Sequence, residues 1–184
     1  MSMKRVLLCG CLSAALGAGC ATAEPAPRRA RGSEGGDLPA AISLYNQAKY
    51  AEAEAVLRRL GGAEAQAYLA ACLAKQQKYP EAEALAKAVI AANPTHALAV
   101  AALGQSLVGQ GKNDEAIERL SAAITAWGDA DDKADAAYAF FWRGQAHYRK
   151  GQFDRMVADF EIFLRLAQQA PEANTVRQLL AGVR

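Results

Sequence analysis

The sequence predicts an all-α fold, a short solenoid of antiparallel helix pairs, from an internal repeat and from helical periodicity. Residues 78–82, KYPEA, recur thirty-four residues later as residues 112–116, KNDEA. A fixed period of this length is typical of stacked supersecondary units. Within each period the apolar residues stand three or four apart, as on a helix, and do not alternate as in a strand. Stacked helical units usually form binding surfaces, so the repeat also favours a binding protein.

Two complete units, 63–96 and 97–130, each predict a pair of helices. A polar turn separates the two helices, and the second helix opens with acidic residues, Glu81 or Glu115. Carboxylates there suit the positive end of the helix dipole. Pro94 follows the second helix of the first unit, where a helix is expected to stop.

Small residues occupy the positions where the two helices of a unit are expected to cross. Gly104 and Ala116 are the eighth and twentieth residues of their unit, and Ala70 and Ala82 occupy the same places one unit earlier. Gly144 is the eighth residue of a later unit. Small side chains allow two helix backbones to approach closely enough for their ridges to interlock.

The spacing of the units is irregular at both ends of the repeat. The last unit, 137–170, follows its predecessor after forty residues instead of thirty-four, so the unit 97–136 carries an insertion at residues 128–133. A degraded first unit, 38–62, precedes the next by only twenty-nine residues. The sequence therefore predicts about three and a half units.

These units resemble the tetratricopeptide repeat. The marks of that family are a small residue at position eight, Ala at twenty and Pro at thirty-two, and here they are Ala70, Ala82 and Pro94. Met156 departs from the pattern, because it stands where the family has Ala. The resemblance covers residues 38–168. It implies a right-handed α-solenoid that binds other proteins.

A last helix is predicted at residues 171–184. Val176, Leu179, Leu180 and Val183 form one apolar stripe. Solenoids need an end element with a polar outer face, so we interpret this segment as a C-terminal capping helix.

The N-terminus has the pattern of a signal peptide, residues 1–19. Lys4 and Arg5 precede an apolar run that is too short for a membrane span. Small residues then lead to Cys20, and this arrangement resembles the lipobox of bacterial lipoproteins, in which the cysteine receives the lipid. Residues 20–37 are rich in Pro, Gly and charge, and they predict a lipid anchor followed by a flexible linker.

Two localisations remain open from these residues. Lipidation at Cys20 predicts an outer-membrane lipoprotein facing the periplasm, because Ala21 replaces the Asp that often retains lipoproteins in the inner membrane. The stretch that ends at Ala23 also fits an ordinary signal-peptidase site, whose cleavage would release a soluble periplasmic or secreted protein.

Charge and reactive residues argue against several functions. Loss of Lys4 and Arg5 with the signal would reduce the 21 basic residues to nineteen, equal to the 19 acidic ones, so nucleic-acid binding is not indicated. Cys72 occupies a packing position, and neither His96 nor His147 has a second ligand at metal spacing. No catalytic motif is present. We expect no enzyme activity, no cofactor, no metal and no small-molecule substrate.

The resemblance places a binding groove on the first helix of each unit. The expected groove residues of the last unit are Tyr138, Phe141, Gln145, Tyr148 and Arg149. The corresponding positions of the two preceding units are Leu98, Ala101, Gln105 and Val108, and Glu64, Ala67, Ala71 and Ala74. Aromatic residues with an Arg are typical of binding hot spots. The alternative is that these aromatic side chains pack against the C-terminal helix.

The sequence thus predicts a non-enzymatic protein-binding scaffold or assembly factor of the bacterial cell envelope, tethered by lipid. The expected partner is another envelope protein or a peptide segment of it, either an apolar helix or an extended strand. In layout the chain is similar to the lipidated pilotins of pili and secretins. The alternatives are a soluble interaction module cleaved after Ala23, and an accessory subunit of an envelope enzyme.

Overall fold

The computed structural model describes residues 37–129 and 133–183, and in that part every regular element is helical. The helices are α1 Asp37–Asn46, α2 Tyr50–Leu57, α3 Ala63–Lys75, α4 Tyr79–Ala92, α5 Ala97–Gly109, α6 Asn113–Trp127, α7 Ala137–Arg149, α8 Phe153–Leu166 and α9 Ala173–Val183. A short 3-10 helix, Ala134–Ala136, leads into α7. The predicted signal peptide, Cys20 and the linker up to residue 36 lie outside the described residues.

The helices pack as four successive pairs, and α9 packs on α8. The first helices of neighbouring pairs also contact one another, α1 with α3, α3 with α5 and α5 with α7. The second helices of neighbouring pairs touch each other far less. The first helices therefore line the inner face of the stack, and the second helices form its outer face. This arrangement confirms the predicted all-α solenoid.

The helix crossings depend on the small residues that the repeat spacing predicts. A Cβ added to Gly104 would stand 2.7 Å from the Cβ of Trp142, and one added to Gly144 would stand 2.6 Å from the ring of Phe160. Ala82 and Ala116 are fully buried. Met156, which departs from the family pattern, is also fully buried, so the last pair accommodates the larger side chain within its core.

The turn inside each pair uses the same backbone conformation. Ala48, Gln77, Gly111 and Gly151 occupy equivalent places and have positive φ angles of 59°, 63°, 77° and 70°. Glycine adopts this left-handed conformation at little cost, whereas residues with a Cβ lose roughly 1–2 kcal/mol there. The two earlier turns are therefore strained relative to the two later ones.

Buried carboxylates join consecutive pairs. Glu54 of α2 accepts hydrogen bonds from Gln76 at 2.7 Å and from Lys78 at 2.9 Å, both in the next pair. Burial by itself raises the pKa of Glu54, but the hydrogen bonds from Lys78, Arg58 and Gln76 outweigh it and lower the pKa to about 2. The charged carboxylate thus ties the first pair to the second.

At the last junction, an arginine that is ion-paired within the fourth pair also reaches the third pair. Arg143 of α7 donates to both carboxylate oxygens of Asp159, at 2.9 Å from Nε and 2.6 Å from Nη2. Its Nη1 also donates to the hydroxyl of Ser121 on α6, at 3.1 Å. Arg143 therefore links the third pair to both helices of the fourth.

None of the helices in the described part combines the length and the apolar character needed to cross a bilayer.

Candidate functional site

The inner face carries a cavity of about 280 Å³ that opens to solvent. The first helix of every pair, α1, α3, α5 and α7, contributes at least one residue to its lining. The lining consists of Tyr45, Ala71, Lys75, Leu98, Ala101, Ala102, Gln105, Tyr138 and Trp142. Most of this surface is apolar. A concave, mostly apolar cavity with a few polar groups is the usual form of a binding site.

Aromatic side chains close both ends of this cavity. Tyr45, near the end of α1, packs edge-on against Tyr50 and Tyr68, with ring centroids 5.5 Å and 5.6 Å away. At the other end Trp142 lies over Gly104, where the missing side chain leaves room for its Cβ. The cavity thus depends on a glycine of α5 and on a tyrosine from the degraded first unit.

Tyr138 links the cavity to the segment that leads into α9. Its hydroxyl donates a hydrogen bond of 2.8 Å to the carboxylate of Glu172, and its ring packs edge-on against Phe163 with centroids 5.8 Å apart. Burial, followed by the hydrogen bond to Glu172, raises the pKa of Tyr138 well above its usual value. Burial and the neighbouring Tyr50 raise the pKa of Tyr45 to about 12. Both tyrosines stay neutral at physiological pH.

Two polar side chains give the cavity its chemical character. Gln105 donates from its amide nitrogen to the carbonyl of Ala74 at 3.2 Å. This bond fixes the amide and leaves its carbonyl oxygen as an acceptor. Lys75 is exposed and is the one charged side chain among the lining residues. The cavity therefore suits an apolar side chain with an acidic neighbour better than a basic segment.

The structure separates the five residues that the sequence assigns to the groove. Tyr138 lines the cavity, whereas Phe141 is only 6% exposed and packs on Phe163, with ring centroids 5.1 Å apart. Tyr148 is 41% exposed, and Arg149 donates to the carbonyl of Val108 at 2.6 Å. Gln145 is half-buried and does not line the cavity.

The preceding units contribute more to the cavity than the last unit does. Ala71, Leu98, Ala101 and Gln105 all lie in its lining, at positions that the family pattern places on the groove. The small side chains of Ala71 and Ala101 leave the space that the aromatic residues border. The cavity therefore lies in the middle of the inner face.

Four lining residues, Tyr45, Lys75, Ala102 and Trp142, were missed from the sequence. Tyr45 could have been found, because alignment of the KYAEA segment at 49–53 with residues 78–82 puts it at a groove position. Lys75 and Trp142 stand beside the expected positions rather than on them, and only the observed crossing of α5 with α7 directs Trp142 inward.

The reactive side chains of the described residues are engaged in packing. Cys72 is fully buried, and this burial, with a smaller contribution from Glu54, raises the pKa of its thiol to about 12. His147 is 4% exposed and lies 2.7 Å from the amide oxygen of Gln152. Across residues 37–129 and 133–183 no three His, Cys, Asp or Glu side chains are grouped as a metal site would require.

Solved structures with the same fold include other repeat proteins. TTC0263, a thermophilic TPR protein of Thermus thermophilus, superposes with a TM-score of 0.68 and 21% identity, over 78% of this chain and 79% of that one. The MamA RS-1 ArsTM double mutant gives 0.56 and 23%, over 71% and 73%. MamA MSR-1 gives 0.53 and 22%, over 75% and 79%. At these identities the likeness shows the fold alone.

Comparison with curated protein sequences gives no significant match. The sequence profile of the tetratricopeptide repeat, by contrast, matches residues 38–97 and 101–174. These two matches cover most of the chain and coincide with the four helix pairs and the start of α9. The chain therefore belongs to the tetratricopeptide repeat family.

Proposed function

We propose that this chain is a non-enzymatic scaffold of the bacterial cell envelope that binds an apolar segment of another envelope protein in its inner cavity. The observation that carries this proposal is the cavity itself, because it is apolar, open and bordered by Tyr45, Tyr138 and Trp142. Large aromatic side chains at the edge of a concave site are typical of binding hot spots. Proteins built from these repeats are generally scaffolds that bind other proteins.

The cavity also indicates the chemistry of the segment. A volume of about 280 Å³ is enough for one large apolar side chain or two small ones, and not for a folded domain. Lys75 is the charged side chain of this site. A carboxylate next to the inserted apolar side chain would therefore lie near a charge of opposite sign. The partner segment in this proposal is an amphipathic helix or strand with an apolar anchor and a neighbouring carboxylate.

The proposed tether is a lipid on Cys20, with the scaffold facing the periplasm from the outer membrane. Support comes from the sequence alone, from the charged start, the short apolar run and the small residues before the cysteine. The segment from Cys20 to residue 36 then acts as a linker between the membrane and α1. Cleavage after Ala23, which would free the scaffold, is the competing possibility.

A photoreactive residue in place of Ala101 tests the binding cavity in intact cells. The matched control places the same residue at Ala122, an exposed alanine of α6 on the outer face. We expect a defined envelope protein to be crosslinked from Ala101 and not from Ala122, at one segment of its sequence. Crosslinking that is equal from both positions contradicts the proposed site.

The crosslinked segment, made as a synthetic peptide, then gives a direct measurement. Ala101→Arg fills the cavity without removing a packed side chain, so it should weaken binding of the peptide by about a hundredfold, equivalent to about 3 kcal/mol. Ala122→Arg should leave the affinity unchanged. Equal affinities of both variants would exclude the cavity as the binding site.

Metabolic labelling with a clickable fatty acid tests the tether separately. The parent chain should incorporate the label, and Cys20→Ala should not. If Cys20→Ala is labelled as strongly as the parent, the anchor is not on this residue. A mature N-terminus at Glu24, found by mass spectrometry of the unlabelled parent, would instead establish ordinary signal cleavage.

A further inference from the structure

The exposed large apolar side chains of the described residues lie at the C-terminal end of the stack. Phe153 is 46% exposed, Tyr148 41% and Val183 41%. The Tyr148 and Phe153 rings contact each other edge-on, with centroids 6.2 Å apart. Soluble proteins rarely expose a contiguous group of large apolar side chains, and such a group usually marks an interaction surface.

Another unit of the repeat shows how a ring at the Phe153 position can be covered. Phe153 opens α8 as Tyr79 opens α4, at the same place in the repeat. The Tyr79 ring lies directly on Gly109 of the following first helix, so closely that a Cβ there would stand 2.5 Å from the ring. A helix with a glycine facing the ring is therefore one partner that fits an aromatic side chain at this position.

Phe153 stays 46% exposed although α9 packs on α8, and α9 carries an open glycine near its end. Gly182 is exposed in the last turn of α9, and a Cβ added to it would meet nothing within 4 Å. A short loop joins α8 to α9 and the two helices pack together, so α9 runs antiparallel to α8, towards the end where Phe153 lies. The aromatic ring and the open glycine are thus found at the same end of the molecule.

The charges beside Phe153 are also self-complementary. Asp154 and Arg155 are both exposed, and neither makes an ion pair with another described residue. Next to them is an open concavity of about 410 Å³. If two copies meet here across a two-fold axis, Asp154 of each copy can face Arg155 of the other. An isologous interface requires such a pair of equivalent contacts.

We propose that this end of the stack is a two-fold interface between two copies of the chain, in which the Phe153 ring of each copy packs on Gly182 of the other. Within the interface Val183 and Tyr148 become covered by the second copy. The interface lies away from the inner cavity, so the dimer presents two cavities for the proposed partner segment.

Cysteine crosslinking between two full-length copies tests this contact. One tagged copy carries Phe153→Cys and a differently tagged copy carries Gly182→Cys, both produced in the same cells. After oxidation we expect a disulfide-linked species that contains both tags. The background of disulfides from the native cysteines is measured with a pair of parent chains. Of these cysteines, Cys72 is fully buried and therefore poorly accessible to crosslinking.

The matched control replaces Gly182→Cys by Glu118→Cys, at an exposed residue of α6. It should give no more crosslinked species than the parent pair. If the 153–182 pair gives no more than this control, the proposed contact does not exist.

Sedimentation of the purified full-length chain in detergent measures the same interface without crosslinks. The parent should sediment as a dimer, and Phe153→Ser or Gly182→Leu should each weaken the association by about tenfold or more. Both residues are exposed, so the circular dichroism signal should not change, and Ala101→Arg should leave the dimer intact. A monomeric parent, or a dimer that Phe153→Ser does not weaken, overturns the proposal.

Discussion

Glu83 holds Lys112 of the next repeat at 2.9 Å, as Glu54 holds Lys78 one unit earlier at the same distance. Each carboxylate also accepts a 2.7 Å hydrogen bond from a glutamine of the next unit, Gln110 or Gln76. The third unit has Ile117 at this position, so the same contact cannot form there. The first three pairs are therefore joined by a repeated ionic contact, whereas Arg143 joins the third pair to the fourth by its hydrogen bond to Ser121.

This repeated contact predicts that stability falls in acid. Burial raises the pKa of Glu83, but the hydrogen bonds from Lys87, Lys112 and Gln110 outweigh it and lower the pKa to about 2. The folded-state pKa lies below the unfolded value of 4.5, so the contribution is complete above about pH 4.5 and is lost as the pH falls towards 2. Glu83→Gln should cost about 1–2 kcal/mol at pH 7, because its cationic partners are half exposed.

Urea unfolding at pH 7 and at pH 3 checks this expectation. The difference in unfolding free energy between the parent and Glu83→Gln should shrink as the pH is lowered. Glu52→Gln is the matched control, because Glu52 is exposed on α2, next to the buried Ala53. It should change the unfolding free energy little at either pH. A difference for Glu83→Gln that stays constant between pH 7 and pH 3 would contradict the role of its charge.

Close packing at Gly104 predicts a loss of stability on adding one methyl group. In Gly104→Ala the new Cβ meets the Cβ of Trp142, which cannot move without shifting α7. Overpacking of this kind costs about 1–3 kcal/mol, and the better helix preference of alanine returns up to about 1 kcal/mol. A net decrease of about 1 kcal/mol is expected from thermal unfolding. Gly61→Ala, at a residue with nothing within 4 Å, should leave the midpoint unchanged.

The two aromatic residues that the sequence places together in the groove should behave differently. Phe141 is buried among other rings, so Phe141→Ala should lower the unfolding free energy by about 3–5 kcal/mol. Tyr148 is exposed, and Tyr148→Ala should change it by no more than about 0.5 kcal/mol. Chemical unfolding of the two variants measures both. Equal effects would mean that Phe141 contributes no more to the core than Tyr148.

The helices were predictable because each one repeats a local pattern. Ala82 and Ala116 identify the same crossing in two units, and the structure buries both completely. The first unit was harder to recognise because Gly61 and Gly62 shorten its second helix. α2 covers only eight residues, Tyr50–Leu57.

The cavity was only partly predictable, because it depends on how neighbouring pairs lie against each other. Leu98, Ala101 and Tyr138 stand at the repeat positions expected in the groove, and they line the cavity. Phe141 stands at such a position too, but its ring packs on Phe163 of its own pair. Such a choice between two faces of one helix depends on packing partners that the periodicity does not identify.

The ion pair of Arg143 with Asp159 supports a last prediction about the fourth pair. Asp159 is only 3% exposed, and the Arg143 guanidinium also lies over the Phe140 ring, 5.4 Å from its centroid. In Arg143→Met the aspartate stays buried without its cation, and a loss of about 3–5 kcal/mol is expected. Asp159→Val alone should also destabilise, because it leaves the guanidinium without its carboxylate.

The double variant separates the cost of an unpaired charge from the value of the pair. Replacing both Arg143 by Met and Asp159 by Val removes the two charges together, and apolar groups of similar size can fill the space. The double variant should therefore be more stable than Arg143→Met alone, by about 1 kcal/mol or more, so that the two changes are not additive. Unfolding free energies of the four proteins at pH 7 measure this coupling. If the losses of the two single variants simply add, Arg143 and Asp159 do not stabilise each other.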